Sequence, residues 1–492
     1  MGITAGAGGA LPACAPAAGK EKVMVRHKGF WGMLVIAAVL GGAGTAVAKT
    51  PVLTLEQLTA MALKFSPEVK AGQSDVTLAR EQQAEVQGYY YPQMETAATF
   101  GVVPNAKRPI IRQNQIVYPY PSNRLHGLNV FGRLDFGVYQ PLYTFGKIQL
   151  REQAAGKNVL VQEAGVEAKR GEVILRVAEA YYGLVLAQQG REAVKEARTY
   201  LSDTRGRIDK LLRIGSASVK ETDRHRLSFY EGNLEKFAAE TEEGAKVAYA
   251  ALKALIGYGP GQDFSVPPEL PKPEGAPYKL DHYVRLALEL RPEFTQLKEG
   301  LVARQLLVDA ARADQYPSFF LAVIGAVAGA PGRETTRDPY INDVFNQAYG
   351  LPVLGMKWGF DFGITKARIR QAQAELDKLR HNEKTALMGI PVEVAQAYGK
   401  VQETSRSCQG LEKAYVSARR WLVTAFSNFD MGLGAMEDIF QAFEKYGAAR
   451  GDFLLTLYNY NVATAKLSKA TGAYRRHLPK EEAPPQNRGK KK

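Results

Sequence analysis

Residues 87–100 read QGYYYPQMETAATF, and residues 314–327 read DQYPSFFLAVIGAV. In each, a charged run of helix-forming residues ends at tyrosine and proline, and a stretch of strand type follows. Proline biases the residue before it away from the helical region. Each Tyr-Pro therefore marks a helix stop and a strand start. Two such switches raise the question of whether the chain is built twice.

The flanking sequence answers it. TLEQLTAMALKFSPEVKAGQ from Thr54 aligns with KLDHYVRLALELRPEFTQLK from Lys279, pairing Leu55 with Leu280, Pro67-Glu68 with Pro292-Glu293 and Tyr91-Pro92 with Tyr316-Pro317, at an offset of 225. Farther on the offset is 217: Phe145-Gly146 pair with Phe362-Gly363, VAEAY from Val177 with VAQAY from Val394, and Gly215 with Gly432. Self-similarity at this scale signals a duplicated structural unit. The 8 positions lost between Tyr91 and Phe145 belong to an insert of variable length. The first unit spans 49–257, the second 280–473, and a linker at 258–279, proline-rich over VPPELPKPEGAPYK (266–279), joins them.

Each unit reads helix, strand, loop, strand, then long helices. No proline interrupts Lys147 to Arg213, where Ile174, Val177, Tyr181 and Leu184 recur at helical spacing; Leu227, Tyr230, Leu234 and Phe237 do the same on the return. At 1.5 Å per residue, 67 residues make a helix about 100 Å long. The turns RIGSAS (tip near 214–218) and DMGLGA (tip near 431–435) carry the glycine that a helix C-terminus favours. Gly389 and Pro391 fall inside the second long helix and predict a bend there.

The strands are expected at 93–103, 130–144, 318–330 and 350–362. RLDFGVYQPLY sets Leu134, Phe136, Val138 and Gln140 against Asp135, Gly137 and Tyr139; MKWGFDFG sets Trp358, Phe360 and Phe362 against Gly359 and Asp361. About ten residues of such alternation fit a strand crossing a bilayer. Aromatics at the strand ends, among them Tyr89, Tyr90, Tyr91, Tyr316 and Trp358, fit an interfacial belt. Strands of a soluble sheet are the competing reading. A membrane sheet of four strands cannot close, and lipid tolerates no open edge. Several chains would have to pool strands, three copies giving twelve.

The leader points the same way. Arg26, His27 and Lys28 precede the apolar run MLVIAAVLGGAGTAVA, which ends in Ala46-Val47-Ala48. That arrangement predicts a signal peptide over 1–48, with Met24 as an alternative start and a single membrane anchor as the rival. Cys14 lies in this leader and Cys408 stands alone, so no disulfide framework is expected. The net charge of +14 comes partly from the leader and from the RGKKK tail, and elsewhere basic residues interleave with acids. This excludes a nucleic-acid stripe. Residues 474–492 read as a disordered basic tail.

Signal peptide, tandem repeat, four strands and very long helices together resemble the outer-membrane efflux protein (TolC-like) family from about Thr54 to Gly472. The resemblance implies an α+β membrane protein, a homotrimer whose long antiparallel hairpins form an α-barrel across the periplasm. Its four strands per chain would join a twelve-stranded β-barrel in outer-membrane lipid, with the loops at 104–129 and 331–349 outside a Gram-negative cell. It implies an exit duct of a tripartite efflux or type I secretion system, fed by a periplasmic adaptor and an inner-membrane pump of RND or ABC type. Adaptor docking would fall on Leu212, Arg213, Ile214, Gly215 and Ser216 at one tip, and on Phe429, Asp430, Met431, Gly432 and Leu433 at the other. The family's acidic aperture ring would map onto Asp438 and Glu221, six positions past each tip glycine. Acids just after a turn are also ordinary helix N-terminal residues.

The six histidines are dispersed, with no metal-ligand spacing. There is no phosphate loop, dinucleotide-binding glycine run or nucleophile elbow. Neither catalysis, a cofactor nor a metal site is expected. The alternative outside the channel class is a secreted coiled-coil scaffold with no pore.

Overall fold

A computed structural model describes residues 50–107, 110–117, 127–334 and 343–477. The expected signal peptide, most of the expected basic tail and parts of the loops at 104–129 and 331–349 lie outside the described residues.

The duplication is visible element by element. Helices α1 (Leu55–Phe65) and α2 (Pro67–Gly88) in the first unit match α5 (Leu280–Leu290) and α6 (Pro292–Ala313) in the second. The residue before each prolyl helix, Ser66 or Arg291, leaves the helical conformation, and proline at the first helical position costs no hydrogen bond, because that N–H would have no partner anyway. Thr54 and Gln57 form a capping box on α1, with reciprocal bonds of 3.0 and 3.4 Å.

The long helices are α3 (Lys147–Arg213) and α7 (Ile364–Asp430), 67 residues each. Their return partners α4 (Glu221–Ile256) and α8 (Met436–Thr471) have only 36. The return path is completed instead by α2 and α6. Along α3 the α2 partners run backwards: Arg176 with Glu68, Lys169 with Asp75 at 3.0 Å, Arg80 with Glu163 at 2.7 Å. Helix α6 bridges the units, bonding Lys157 of α3 through Glu299 at 2.7 Å and Glu375 of α7 through Arg304. Helix α7 passes through Pro391 without a break. Neighbouring helices hold the segment: Ile390 and Val394 are buried in the core beside Val177 and Leu467.

One cluster of buried side chains, including Leu58, Val177, Leu252 and Leu467, occupies the middle of the helical region. A second, including Ile208, Leu227, Leu422 and Phe440, fills the ends of the hairpins. The linker at 258–279 lies as a strap across this region. Gln189 donates to the Pro268 carbonyl (2.6 Å), Asn461 to that of Pro271 (3.1 Å), and the Glu274 N–H donates to the Tyr460 hydroxyl (3.2 Å).

Strands β1 (Gln93–Pro104), β4 (Leu128–Tyr143), β5 (Ser318–Gly329) and β6 (Gln347–Lys357) form one antiparallel sheet in the order β1-β4-β5-β6. Within the loop at 104–129, β2 (Ile110–Arg112) and β3 (Gln115–Val117) make a small separate hairpin, where only a loop is expected. Strand β6 also departs from expectation, ending at Lys357. The alternating WGFDFG beyond it is not strand, because Asp361 turns the chain into α7. Its carboxylate accepts from the Gly363 and Thr365 N–H groups at 3.1 and 2.9 Å and from the Thr365 hydroxyl at 2.5 Å. The tail also begins later than expected. Residues 473–477 form a short 3-10 turn in which Tyr474 is buried and donates to the Glu167 carbonyl at 2.7 Å.

Candidate transport face and helix tips

Residues opposite one another in an antiparallel pair share a face, so the register sorts the sheet into two surfaces. On one, Met94, Ala98, Phe100 and Val102 of β1 oppose Val138, Leu134, Gly132 and Val130 of β4. Leu134 and Val138 in turn face Val327 and Val323 of β5, and Leu321 faces Leu354 of β6. This surface is apolar almost throughout, and its large side chains are exposed, Phe100 to 79%. The other surface carries Glu95, Asp135, Arg133, Ser318, Lys357 and Gln347. Arg133 and Asp135 pair on it at 2.6 Å. An exposed, continuous apolar face backed by a charged one is the reverse of a soluble sheet, which buries its apolar side.

Aromatics gather where helices meet strands. Tyr89, Tyr90 and Tyr91 stand between α2 and β1, and the Tyr90 carbonyl accepts from Gln140 at 2.8 Å. Tyr316, between α6 and β5, stacks on Phe145 at 5.2 Å, and Phe145 meets Tyr143 at 4.7 Å. Trp358 packs on Phe360 at 4.4 Å and donates to the Gln315 carbonyl at 3.0 Å. All five aromatics expected at the interface thus lie at helix–strand junctions. Tyr143, Phe145 and Phe360 join them.

At the far ends of the long helices, Gly215 and Gly432 take φ of 70° and 73°. Each lets the next N–H reach back to close the helix: Ser216 to the Leu211 carbonyl (3.0 Å) and Leu433 to that of Asn428 (2.8 Å). Ile214, Met431 and Leu433 project into solvent, Leu433 to 79%, and Arg213 is also exposed. Phe429 does not join them. It is buried in the core of the hairpin ends, and Leu212 is half-buried against the same core.

The acids at the tips also differ from expectation. Asp438 is the third residue of α8, and its carboxylate accepts from the Ala435 N–H at 3.0 Å. The residue in that position of α4 is Asp223, which accepts from the Lys220 N–H at 2.8 Å. Glu221 is instead the first residue of α4, 3.4 Å from Arg224. The first tip has two more residues between its glycine and its helix than the second, so six past the glycine falls on different helix positions at the two tips.

Arginines bind the two hairpins together. Arg207 pairs with Asp430 and Arg226 with Glu437, while Tyr230 stacks on Phe440 at 5.6 Å. Within the first hairpin, Arg224 reaches Asp209 at 2.8 Å and holds its carboxyl below the usual carboxylate range. No local sequence pattern marks Arg207 or Arg226, because their partners lie more than 200 positions away. Among the described residues no group of three or more His, Cys, Asp or Glu could hold a metal. No helix of the described chain is long and apolar enough to cross a membrane.

Residues 283–473 match the family model for the outer membrane efflux protein. The alkaline protease secretion protein AprF of Pseudomonas aeruginosa is 22% identical over 341 residues, 67% of each chain. Among solved structures, the CusC channel superposes with a TM-score of 0.69 at 18% identity, covering 86% of this chain and 93% of CusC. VceC, an outer membrane protein of Vibrio cholerae, does so with 0.69 at 18%, covering 85% and 96%. The mostly helical fold with one small antiparallel sheet is that of the TolC-like outer-membrane channels. Over its second unit this chain is thus similar to the outer-membrane efflux protein family, and along most of its length it has the fold of the solved outer-membrane channels.

Proposed function

We propose that three copies of the chain close a twelve-stranded barrel and form the passive exit duct of a tripartite export system. One observation carries this reading: the exposed apolar face belongs to a sheet whose two edges, β1 and β6, are unpaired among the described residues. Strand β1 leaves the aromatic junction, β4 returns, β5 leaves and β6 returns. A β6 edge therefore meets the β1 edge of another copy antiparallel, as a closed barrel of even strand number needs. A bilayer accepts the sheet only when such closure removes its edges.

In this reading the polar face lines the lumen, and the helical hairpins carry the duct into the periplasm. A periplasmic adaptor docks on the exposed tip residues Arg213, Ile214, Gly215, Met431, Gly432 and Leu433 and on half-buried Ser216, and delivers cargo from an energised inner-membrane pump. Asp438 and Asp223, repeated threefold, place negative charge at the periplasmic entrance. Such a ring favours cations at a constriction. The name of the AprF relative supports protein export as the cargo class, with the specificity residing in the pump.

The test is the mass of the mature protein extracted from outer membranes in mild detergent, followed by planar-bilayer recording. A species of three chains that opens ion-conducting pores is the expected result. A soluble monomer or dimer without conductance would overturn the duct in favour of a coiled-coil scaffold.

A further inference from the structure

The strand ends opposite the aromatic junction carry a feature that sheet formation does not require. Phe345 stands two residues before β6, the edge strand, yet its ring lies against Phe131 of β4, two strands away, at 4.9 Å in edge-to-face contact. It shares a buried cluster with Phe131, Val103 of β1 and Ala330. Phe131 and Val103 both belong to the polar face, the one that carries Arg133 and Asp135. The chain at 343–346 therefore crosses the polar face of the sheet.

Arginines fix this crossing at both sides. Arg333 pairs with Asp343 at 2.6 Å, donates to the Pro104 carbonyl at 2.8 Å and lies over the Phe345 ring at 5.2 Å. The Arg333 and Asp343 side chains are only 17% and 11% exposed. Arg133, already paired with Asp135, donates to the Val344 carbonyl at 3.2 Å. Backbone bonds add to the hold: the Ala106 N–H reaches the Gly332 carbonyl at 3.1 Å, and the Phe345 N–H is received by Asp343 at 3.1 Å. A buried, bidentate use of arginine holds backbone far more firmly than an exposed pair would.

We propose that residues 330–334 and 343–346 form a collar inside the outer mouth of the barrel, with Phe345 as a determinant of the size of what passes and Arg333 as the residue that positions it. The proposal rests on the duct reading, in which the polar face lines the lumen. Three copies place three Phe345 rings on the inner wall at one level. Arg333 with Asp343 and Arg133 with Asp135 are paired with each other, so the Phe345 rings, rather than these four charges, set the bulk that passes.

The experiment uses the whole chain in intact cells. Ala97 is on the polar face, opposite Asp135, six residues below Val103 and so about 20 Å deeper at the usual strand rise. Ala97→Cys is treated from outside with a small hydrophilic maleimide and, separately, with a bulky polymer-linked one; Cys408 is buried, and the parent chain supplies the blank. The expected result is labelling by the small reagent only. Adding Phe345→Ala, or Arg333→Gln as a second route to a loosened collar, should restore labelling by the bulky reagent, with small-reagent labelling as the check that the barrel is intact. Bulky labelling of Ala97→Cys in the otherwise native chain, or none in either loosened variant, overturns the collar. Failure of the small reagent itself overturns the luminal assignment of the polar face, and the duct reading with it.

Discussion

At the scale of single residues, Asp438 holds two roles that can be separated. Its carboxylate accepts the Ala435 N–H, which anchors the first turn of α8, and its charge is available at the tip. Asn keeps an acceptor oxygen but no charge, whereas Ala keeps neither. Asp438→Asn is expected to reduce cation preference in bilayer recordings while leaving the melting temperature nearly unchanged. Asp438→Ala should add a stability loss of about 1 kcal/mol, the usual cost of a lost helix N-terminal contact. Equal selectivity in native and Asn forms would leave Asp438 a capping residue alone. No local pattern reveals that Asp223, rather than Glu221, occupies the matching helix position. The tip glycines align the repeat, but two extra residues after Gly215 shift the helix start, and only hydrogen bonding to the first turn reveals it. Phe429 teaches the same lesson: it stands beside exposed tip residues in sequence, yet the packing of two hairpins turns it inward.

At the scale of elements, the helices were legible because a 3.6-residue period persists over many turns without proline. Their partners were not. A return helix of 36 residues looks the same locally as the start of a longer one, and only the antiparallel run of α2 against α3 shows what fills the remaining length. Strand β6 was read too long because WGFDFG alternates as a strand does, while Asp361 spends its carboxylate on starting α7. The α3–α4 hairpin end has a pH response that follows from Asp209. The Arg224 guanidinium, hydrogen-bonded to it, lowers its folded-state pKa. A lowered folded pKa means that the pair's contribution is complete above the ordinary carboxylate value of about 4 and is lost as pH falls through the lower folded value. Amide protection at the end of the hairpin, exchange corrected for its intrinsic pH dependence, should therefore fall on acidification below about pH 4. Asp209→Asn should already exchange faster at neutral pH and lose that part of the acid response. An unchanged acid profile in the Asn form would remove Asp209 as its source.

At the scale of the whole molecule, the two faces of the sheet make opposite demands. Leu134 lies near the middle of β4 on the apolar face, and Ala97 lies near the middle of β1 on the polar face. Leu134→Lys places a charge against lipid at a cost of about 2–4 kcal/mol near the bilayer midplane, so outer-membrane assembly should fall sharply. Ala97→Lys faces the lumen and should assemble normally. Heat-modifiable migration of outer-membrane extracts reads both, and the reverse order would invert the assignment of the faces.

The sequence by itself determined the duplication, the long helices, the four strand sites, the glycine tips and the aromatic junctions. Apart from the duplication, which shows as similarity at a fixed offset, each of these is a local matter, set by periodicity, by proline and glycine, and by which residues lie a few positions apart. The tertiary structure alone decided which strands are neighbours, which acid is equivalent to which, and where Arg207, Arg226, Arg333 and Phe345 find their partners. Those contacts join residues that no local period relates. They exist because burying the helix faces and pairing the strand edges brings distant segments together, and the chain carries no short-range record of that juxtaposition.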